Sequence, residues 1–276
     1  MSTPSFSIPP PPTKLCSLSY PAPTVLLVTL NRPKQLNCIN IAGHHELHDV
    51  FSWLDREPSL RVGIITGAGR AFCAGADLKE WNTSNEAALP RPMPPSGFGG
   101  LSRRSGLKPV IAAVNGPALG GGCEMLINSD MVLASAQATL ALPEAKRGVV
   151  ALAGALPRLV RTVGRQRAME MALTGRDVGA VEARDWGLVN RVVDGGAGEV
   201  VREAVQLATA VAANSPDAVV VSREGVKMGW DGLGVEDATR LWAESWYPRL
   251  LGGENMKEGV RAFVEKRMPV WKAAKL

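Results

Sequence analysis

Short apolar runs that stop abruptly at glycine, asparagine or proline constrain this chain more than any other feature. Residues 24–30 (TVLLVTL) end at Asn31-Arg32-Pro33, 61–66 (RVGIIT) at Gly67-Ala68-Gly69, and 110–114 (VIAAV) at Asn115-Gly116-Pro117. Runs of this length, rich in β-branched residues, read as buried strands closed by turns. Residues 131–134 predict a fourth strand. Between them, 42–54 carries Leu47, Val50, Phe51 and Leu54 at helical spacing, and Gly120-Gly121-Gly122 opens a short helix through residue 128. Strand, loop and helix in alternation predict an α/β fold. Beyond Pro157 the period turns helical, over 164–173, 180–186, 199–214, 217–228, 235–251 and 255–263. The C-terminal part therefore reads as a helical subdomain or assembly element.

The ends differ from the middle. Residues 1–23 begin MSTPSFSIPPPPTK, whose four consecutive prolines forbid a helix and predict a disordered polyproline arm rather than a secretory signal. The last three residues, Ala274-Lys275-Leu276, read as a peroxisomal-type address of the S-K-L class. Residues 82–109 are proline- and glycine-rich with little periodicity, and predict a mobile loop that forms a pocket wall.

Composition removes several classes. The four cysteines of the 276 residues form no CxxC pair, so a zinc ribbon or a disulfide framework is not expected, and they read as a reduced, intracellular set. No apolar run reaches the ~18 residues of a membrane span. A net charge of +5 (31 basic against 26 acidic residues) suits an anionic ligand without implying nucleic acid. All three histidines lie in one run, His44, His45 and His48. The spacing is HHELH rather than HExxH, with no third ligand, so this reads as a solvated helix face and not a metal site. A Ser-His-Asp or Cys-His centre has no other histidine to draw on.

Two loops carry the chemistry. Residues 70–79 (RAFCAGADLK) and 115–124 (NGPALGGGCE) each follow a buried strand and are built of small residues that admit a ligand close to the backbone. In the second, N–H groups at a helix start face outward with the helix dipole behind them, which is oxyanion-hole geometry. Glu124 falls in the first turn of that helix, and Glu144 follows a proline in Leu142-Pro143-Glu144. Each glutamate alone is equally well an ordinary first-turn acid. Spacing does not bring the two together.

In order and at matching intervals, these segments resemble the crotonase (enoyl-CoA hydratase/isomerase) superfamily. The resemblance runs from about residue 24 to 267. It includes Leu36-Asn37, Ala74 to Lys79, Asn115 to Glu124, Leu142-Pro143-Glu144, Leu173-Thr174-Gly175, Gly187-Leu188-Val189 and Phe263 to Arg267. It implies a spiral of ββα units over 24–197 and a C-terminal helical region over 198–273 that assembles trimers or dimers of trimers. By its S-K-L-type tripeptide, 274–276 is expected to serve as a targeting tail read by a peroxisomal import receptor. The resemblance further implies an oxyanion hole from the N–H groups of Ala76 and Gly121, holding a thioester carbonyl and its enolate. Glu124 and Glu144 would add or remove water across the α,β bond of an enoyl-CoA.

Coenzyme A contacts fall to Lys34, Ala74, Ala76, Asp77, Leu78, Lys79, Phe263 and Lys266, the last reaching in from a neighbouring subunit. No cofactor beyond the CoA moiety, no metal, no nucleic acid and no membrane partner is expected. One departure is local: after Glu144 many hydratases have Gly-x-x-Pro-Gly, whereas this chain has Gly148-Val149-Val150-Ala151-Leu152. Leu152 therefore implies a reshaped acyl pocket. The tail and proline-rich start are similar to siderophore-pathway members that dehydrate mevalonyl-CoA to anhydromevalonyl-CoA. Two alternatives remain: a Δ3,Δ2-enoyl-CoA isomerase using one acid–base, and a non-catalytic RNA-binding or assembly homologue. The second expects a lysine comb on the first helix, where this chain has none.

Overall fold

The computed structural model describes residues 5–87 and 92–276. Its strands are β1 (Cys16–Ala22), β2 (Val25–Leu30), β3 (Val62–Gly67), β4 (Val110–Val114), β5 (Ala118–Leu119), β6 (Met131–Ser135), β7 (Thr139–Ala141), β8 (Val178–Gly179) and β9 (Arg191–Val193). A six-stranded sheet runs β1-β2-β3-β4-β6-β9, parallel except for the antiparallel edge pair β1–β2, and a second sheet runs β5-β7-β8.

The helices are α1 (Ile41–Arg56), α2 (Leu78–Glu86), α3 (Gly121–Ile127), α4 (Ala155–Val163), α5 (Arg165–Thr174) and α6 (Ala180–Asp185). They are followed by α7 (Ala197–Ala212), α8 (Pro216–Trp230), α9 (Val235–Ser245), α10 (Tyr247–Leu251) and α11 (Glu254–Val264). The fold is mixed α/β with a C-terminal run of helices.

Alternation along the buried strands sorts side chains onto two faces. Leu26, Val28, Ile65, Val110, Ala112 and Val114 join Phe51 and Trp53 of α1 in the larger core. Val25, Ile64, Ile111 and Ala113 face α7, whose Val200, Ala204, Ala208 and Ala212 repeat at i, i+4. Small alanines on that stripe let α7 lie close to the sheet. Parallel strands deliver their following loops to one edge, where open α/β sheets bind ligands. The loops after β3 and β4 leave from that edge.

The N-terminal reading needs correction. Residues 16–22 are not part of a disordered arm. Cys16, Ser17, Leu18 and Ser19 pair with Leu30, Thr29, Val28 and Leu27. Ahead of β1, Phe6 stacks against Tyr20 and Trp53, and the Trp53 indole donates to the Ile8 carbonyl at 2.8 Å. The aromatic anchors fix an extended segment that proline only keeps out of helix. Residues 1–4 lie outside the described residues.

Of the expectation for 82–109, the pocket wall holds, since Pro92, Met93 and Phe98 line a cleft, while the loop without regular structure fails in its described parts. Helix α2 carries it to Glu86, and residues 98–102 are buried. Arg104 pairs with Asp55 at 2.6 Å. Residues 88–91 lie outside the described residues.

Beyond α11 the chain folds back. The Trp271 indole donates to the Ala213 carbonyl at 2.8 Å, Lys272 N–H to Asn255 Oδ1 at 2.8 Å, and Lys275 N–H to Asp217 Oδ1 at 3.2 Å. Lys272 and Lys275 both pair with Glu254. Ala274 and Leu276 settle in a groove with Arg61, Lys108 and Val211.

Candidate active site

Two asparagines shape the loop after β3. Asn37 donates to the Ala68 and Ala71 carbonyls at 2.9 and 2.8 Å while its oxygen accepts from Arg32 N–H at 2.9 Å. Asn115 accepts from Gly67 N–H at 3.0 Å and donates to the Gly69 carbonyl, also at 3.0 Å. Both are buried, and every polar atom of either amide is engaged, so the turn is held from two directions.

The chain then threads between two neighbours. Ala74 N–H donates to Leu36 O at 2.9 Å, and Leu119 N–H donates to Cys73 O at 2.9 Å. Ile39 N–H donates to Gly75 O and Asp77 N–H donates to Ile39 O, at 2.9 and 3.0 Å. In a parallel bridge the residue between those two partners points its own N–H the other way. Ala76 thus turns its N–H from Ile39 toward a cleft.

Gly121 supplies the second donor. As the first residue of α3 it has no intrahelical acceptor. Gly75, with φ +96°, presses against this helix start: a Cβ there would lie 2.9 Å from Leu119 O and 3.6 Å from Gly121 N. A Cβ on Gly122 would lie 2.2 Å from Cys73 O. The small residues of both loops are thus required by backbone meeting backbone.

The cleft has a volume of about 270 Å³ and is lined by Ala74, Ala76, Gly121, Glu124, Glu144 and Leu152, together with Ile41, His44, Trp81, Met93, Phe98 and Val150. The β5–β7 pairing explains how Glu124 and Glu144 meet. Leu119 sits beside Ala141, so the segments leaving both strands run side by side. A Cβ on Gly120 would come within 3.0 Å of Glu144 Oε1.

Glu124, only 4% exposed, accepts from Ala155 N–H, the first residue of α4, at 3.1 Å. Burial pushes its carboxyl up to about 7, the Ala155 N–H pulls against that, and the Glu144 charge adds to the rise. Burial also raises Glu144, whose Oε2 is buried without a hydrogen-bond partner among the described residues. Both carboxyls are thus biased toward the protonated form, and Glu124 keeps a proton available near neutrality.

The structure does not bring every sequence-derived candidate here. Leu78 lines the cleft, and Leu152 stands at its rim 84% exposed. Lys34 and Lys79 are exposed and outside the lining. Asp77 caps α2 and pairs with Arg32 at 2.9 Å, so its carboxylate is engaged within the chain. Phe263, 86% exposed, and Lys266 lie at the end of α11 and do not line this chain's cleft.

The histidine run is not a solvated face. His44 is buried, His48 Nδ1 bonds Ser96 Oγ at 2.8 Å, and only His45 is exposed. Sequence reasoning missed the bracing by Asn37 and Asn115 and the contribution of Phe98. Glycines at 97, 99 and 100 were the available signal for a tight turn around Phe98.

A parallel-sheet scaffold that aims two backbone donors and two protonatable carboxyls into one apolar cleft defines the crotonase type of acyl-thioester enzyme. The chain belongs to the enoyl-CoA hydratase/isomerase family, whose model matches residues 22–274. It is 52% identical over 261 residues to mevalonyl-coenzyme A hydratase of Aspergillus fumigatus, covering 95% of this chain and 96% of that one. The protein of the same name from Beauveria bassiana is 54% identical over 280 residues, covering 99% and 100%. Carnitinyl-CoA dehydratase of Proteus mirabilis is 42% identical over 254 residues, covering 90% and 95%. Among solved structures, enoyl-CoA hydratase of Mycobacterium tuberculosis superposes with a TM-score of 0.83 at 34% identity, covering 94% of this chain and 98% of that one.

Proposed function

We propose that this chain is an acyl-CoA hydratase/dehydratase that interconverts mevalonyl-CoA and anhydromevalonyl-CoA, a step of siderophore biosynthesis. The observation that carries the reading is the convergence of Glu124 and Glu144 on the cleft that Ala76 and Gly121 line. The identity to the two mevalonyl-coenzyme A hydratases supports the acyl group.

In the dehydrating direction the thioester oxygen accepts from Ala76 and Gly121 N–H. One carboxylate removes the proton from Cα, and the electron pair moves into an enolate whose charge sits on that oxygen. The other carboxyl protonates the Cβ hydroxyl, the C–O bond breaks, and water leaves as the enolate collapses to the α,β double bond. Hydration is the reverse. A Glu124 that holds a proton near neutrality beside a second raised carboxyl suits both directions, and two acids rather than one favour this chemistry over isomerisation.

Leu152, Val150 and Met93 provide apolar rim surface that would select a branched acyl group. Ala74, Asp77, Leu78, Lys34 and Lys79 would line the path of the CoA moiety. Phe263 and Lys266 would reach it from a neighbouring copy in a trimer or dimer of trimers. The Ala274-Lys275-Leu276 tail would direct the protein to the peroxisome through an import receptor.

A paired assay of purified protein on crotonyl-CoA and mevalonyl-CoA, followed by enoyl-thioester absorbance, tests the reading. Mevalonyl-CoA dehydration well above crotonyl-CoA hydration is expected. Turnover of crotonyl-CoA alone would make this a straight-chain hydratase and remove Leu152 from acyl selection.

A further inference from the structure

We propose that His44 is a positioning residue that sets the aim of the Gly121 N–H through Phe98, an inference that rests on the oxyanion-hole reading above. His44 is 3% exposed and lines the cleft from α1. Its Nδ1 accepts from Gly99 N–H at 3.1 Å, so that nitrogen carries no proton and the ring proton sits on Nε2. The ring stands edge-on to Phe98, with centroids 4.5 Å apart at 65°.

Phe98 lies in a turn whose neighbours Gly97, Gly99 and Gly100 all have positive φ (+76°, +56°, +69°). Such a turn has little conformational preference of its own. Beside backbone hydrogen bonds such as Gly97 N–H to Pro94 O and Arg103 N–H to Ser96 O, two side chains anchor it: His44 on Gly99 N–H, and Ser102 Oγ, which accepts from Phe98 N–H at 2.8 Å and donates to Ala153 O at 2.8 Å.

The pinned ring lies on the donor residue itself. A Cβ on Gly121 would be 2.5 Å from Phe98 Cδ2 and Cε2. Gly121 is therefore held between Phe98 on one side and the Gly75 loop on the other. Losing the His44 acceptor leaves Gly99 N–H unpaired in a buried site, which the turn relieves by moving. Movement of the turn moves the ring, and with it the support of Gly121. A displacement of about 1 Å in a catalytic constellation costs on the order of 10²-fold in rate.

The test uses full-length His44→Phe, which keeps an edge-on ring and loses the acceptor, and His44→Asn, whose Oδ1 replaces Nδ1. The readouts are kcat, KM and the carbonyl stretch of bound acyl-CoA labelled with carbon-13 at the thioester carbon. We expect His44→Phe to lower kcat about 10- to 100-fold with KM within about 2-fold. Its carbonyl stretch should return toward the frequency in water, and His44→Asn should recover most of both. Phe98→Ala should reproduce the carbonyl change with His44 intact, which keeps the test decisive if His44→Phe does not fold. An unchanged carbonyl stretch in His44→Phe or in Phe98→Ala overturns the proposal. A wild-type stretch identical to that in water overturns the oxyanion-hole reading, and this proposal with it.

Discussion

The sheet-bearing core and the C-terminal helices treat their apolar side chains in opposite ways. In the core, Leu26, Ile64, Ile65, Ile111, Met125 and Leu133 are almost completely buried. In the helices after α7, Val226, Val235, Val260, Phe263 and Val264 are mostly exposed. A single chain can close a core around the site yet leave a second apolar surface unfilled. Surfaces of that kind mark association. The core is thus sufficient to bring Glu124 and Glu144 to one cleft, and the helical region carries the apolar side chains that the proposed assembly with other copies would cover.

This contrast can be broken by experiment. The largest effect belongs to the core: Glu124→Gln and Glu144→Gln should each lower kcat about 10²- to 10⁴-fold while calorimetry still detects acyl-CoA binding. Next is a pH effect on stability. An unfolded glutamate titrates at about 4.3, and burial in the fold pushes Glu124 up to about 7. The folded state therefore binds the proton more tightly, and the stability this gives is full at acid pH and lost as pH rises through about 7. Glu124→Gln should then exceed wild type in urea unfolding at pH 8.5 by on the order of 3 kcal/mol, with the gap closing at pH 4.

A smaller effect, a loss of about 2 kcal/mol, is expected for Asn115→Ala in the same measurement, because the buried Gly67 N–H is left unpaired. The least effect on protomer stability, within about 0.5 kcal/mol, is expected for Val260→Ser and Val264→Asp. Sedimentation should nevertheless show weaker association for those two. A fall in protomer stability as large as that of Asn115→Ala would erase the distinction between the regions.

The legible parts of this fold were those where one residue pattern answers to one environment. Strands β2, β3, β4 and β6 are buried on both faces and read as unbroken apolar runs. Strands β5, β7, β8 and β9 have two or three residues each, too few to show a period. Strand β1 did alternate, with Cys16, Leu18 and Tyr20 against Ser17 and Ser19, but the prolines before it dominated the reading. Extending the α1 stripe backward from Leu47 by three residues reaches His44, so its burial was available in the helical period.

The meeting of Glu124 with Glu144 was not readable from periodicity. It depends on a two-residue bridge, Ala118 and Leu119 against Leu140 and Ala141, which leaves no mark in composition. Only family resemblance coupled them, and the same resemblance marked Asn37 and Asn115 without giving their bracing role.

The folded-back C-terminus carries a consequence for whatever reads it. The final tripeptide is half in a groove, with Asp217 on its backbone and Glu254 on the ammonium group of Lys275. Were the proposed import receptor to grip this tail, it would meet the detached form alone, and its apparent affinity would be the intrinsic affinity multiplied by the detached fraction. If detachment costs about 2.7 kcal/mol, that fraction is about one in a hundred. The docked tail would then act as a dial on recognition, set by the same contacts that finish the fold.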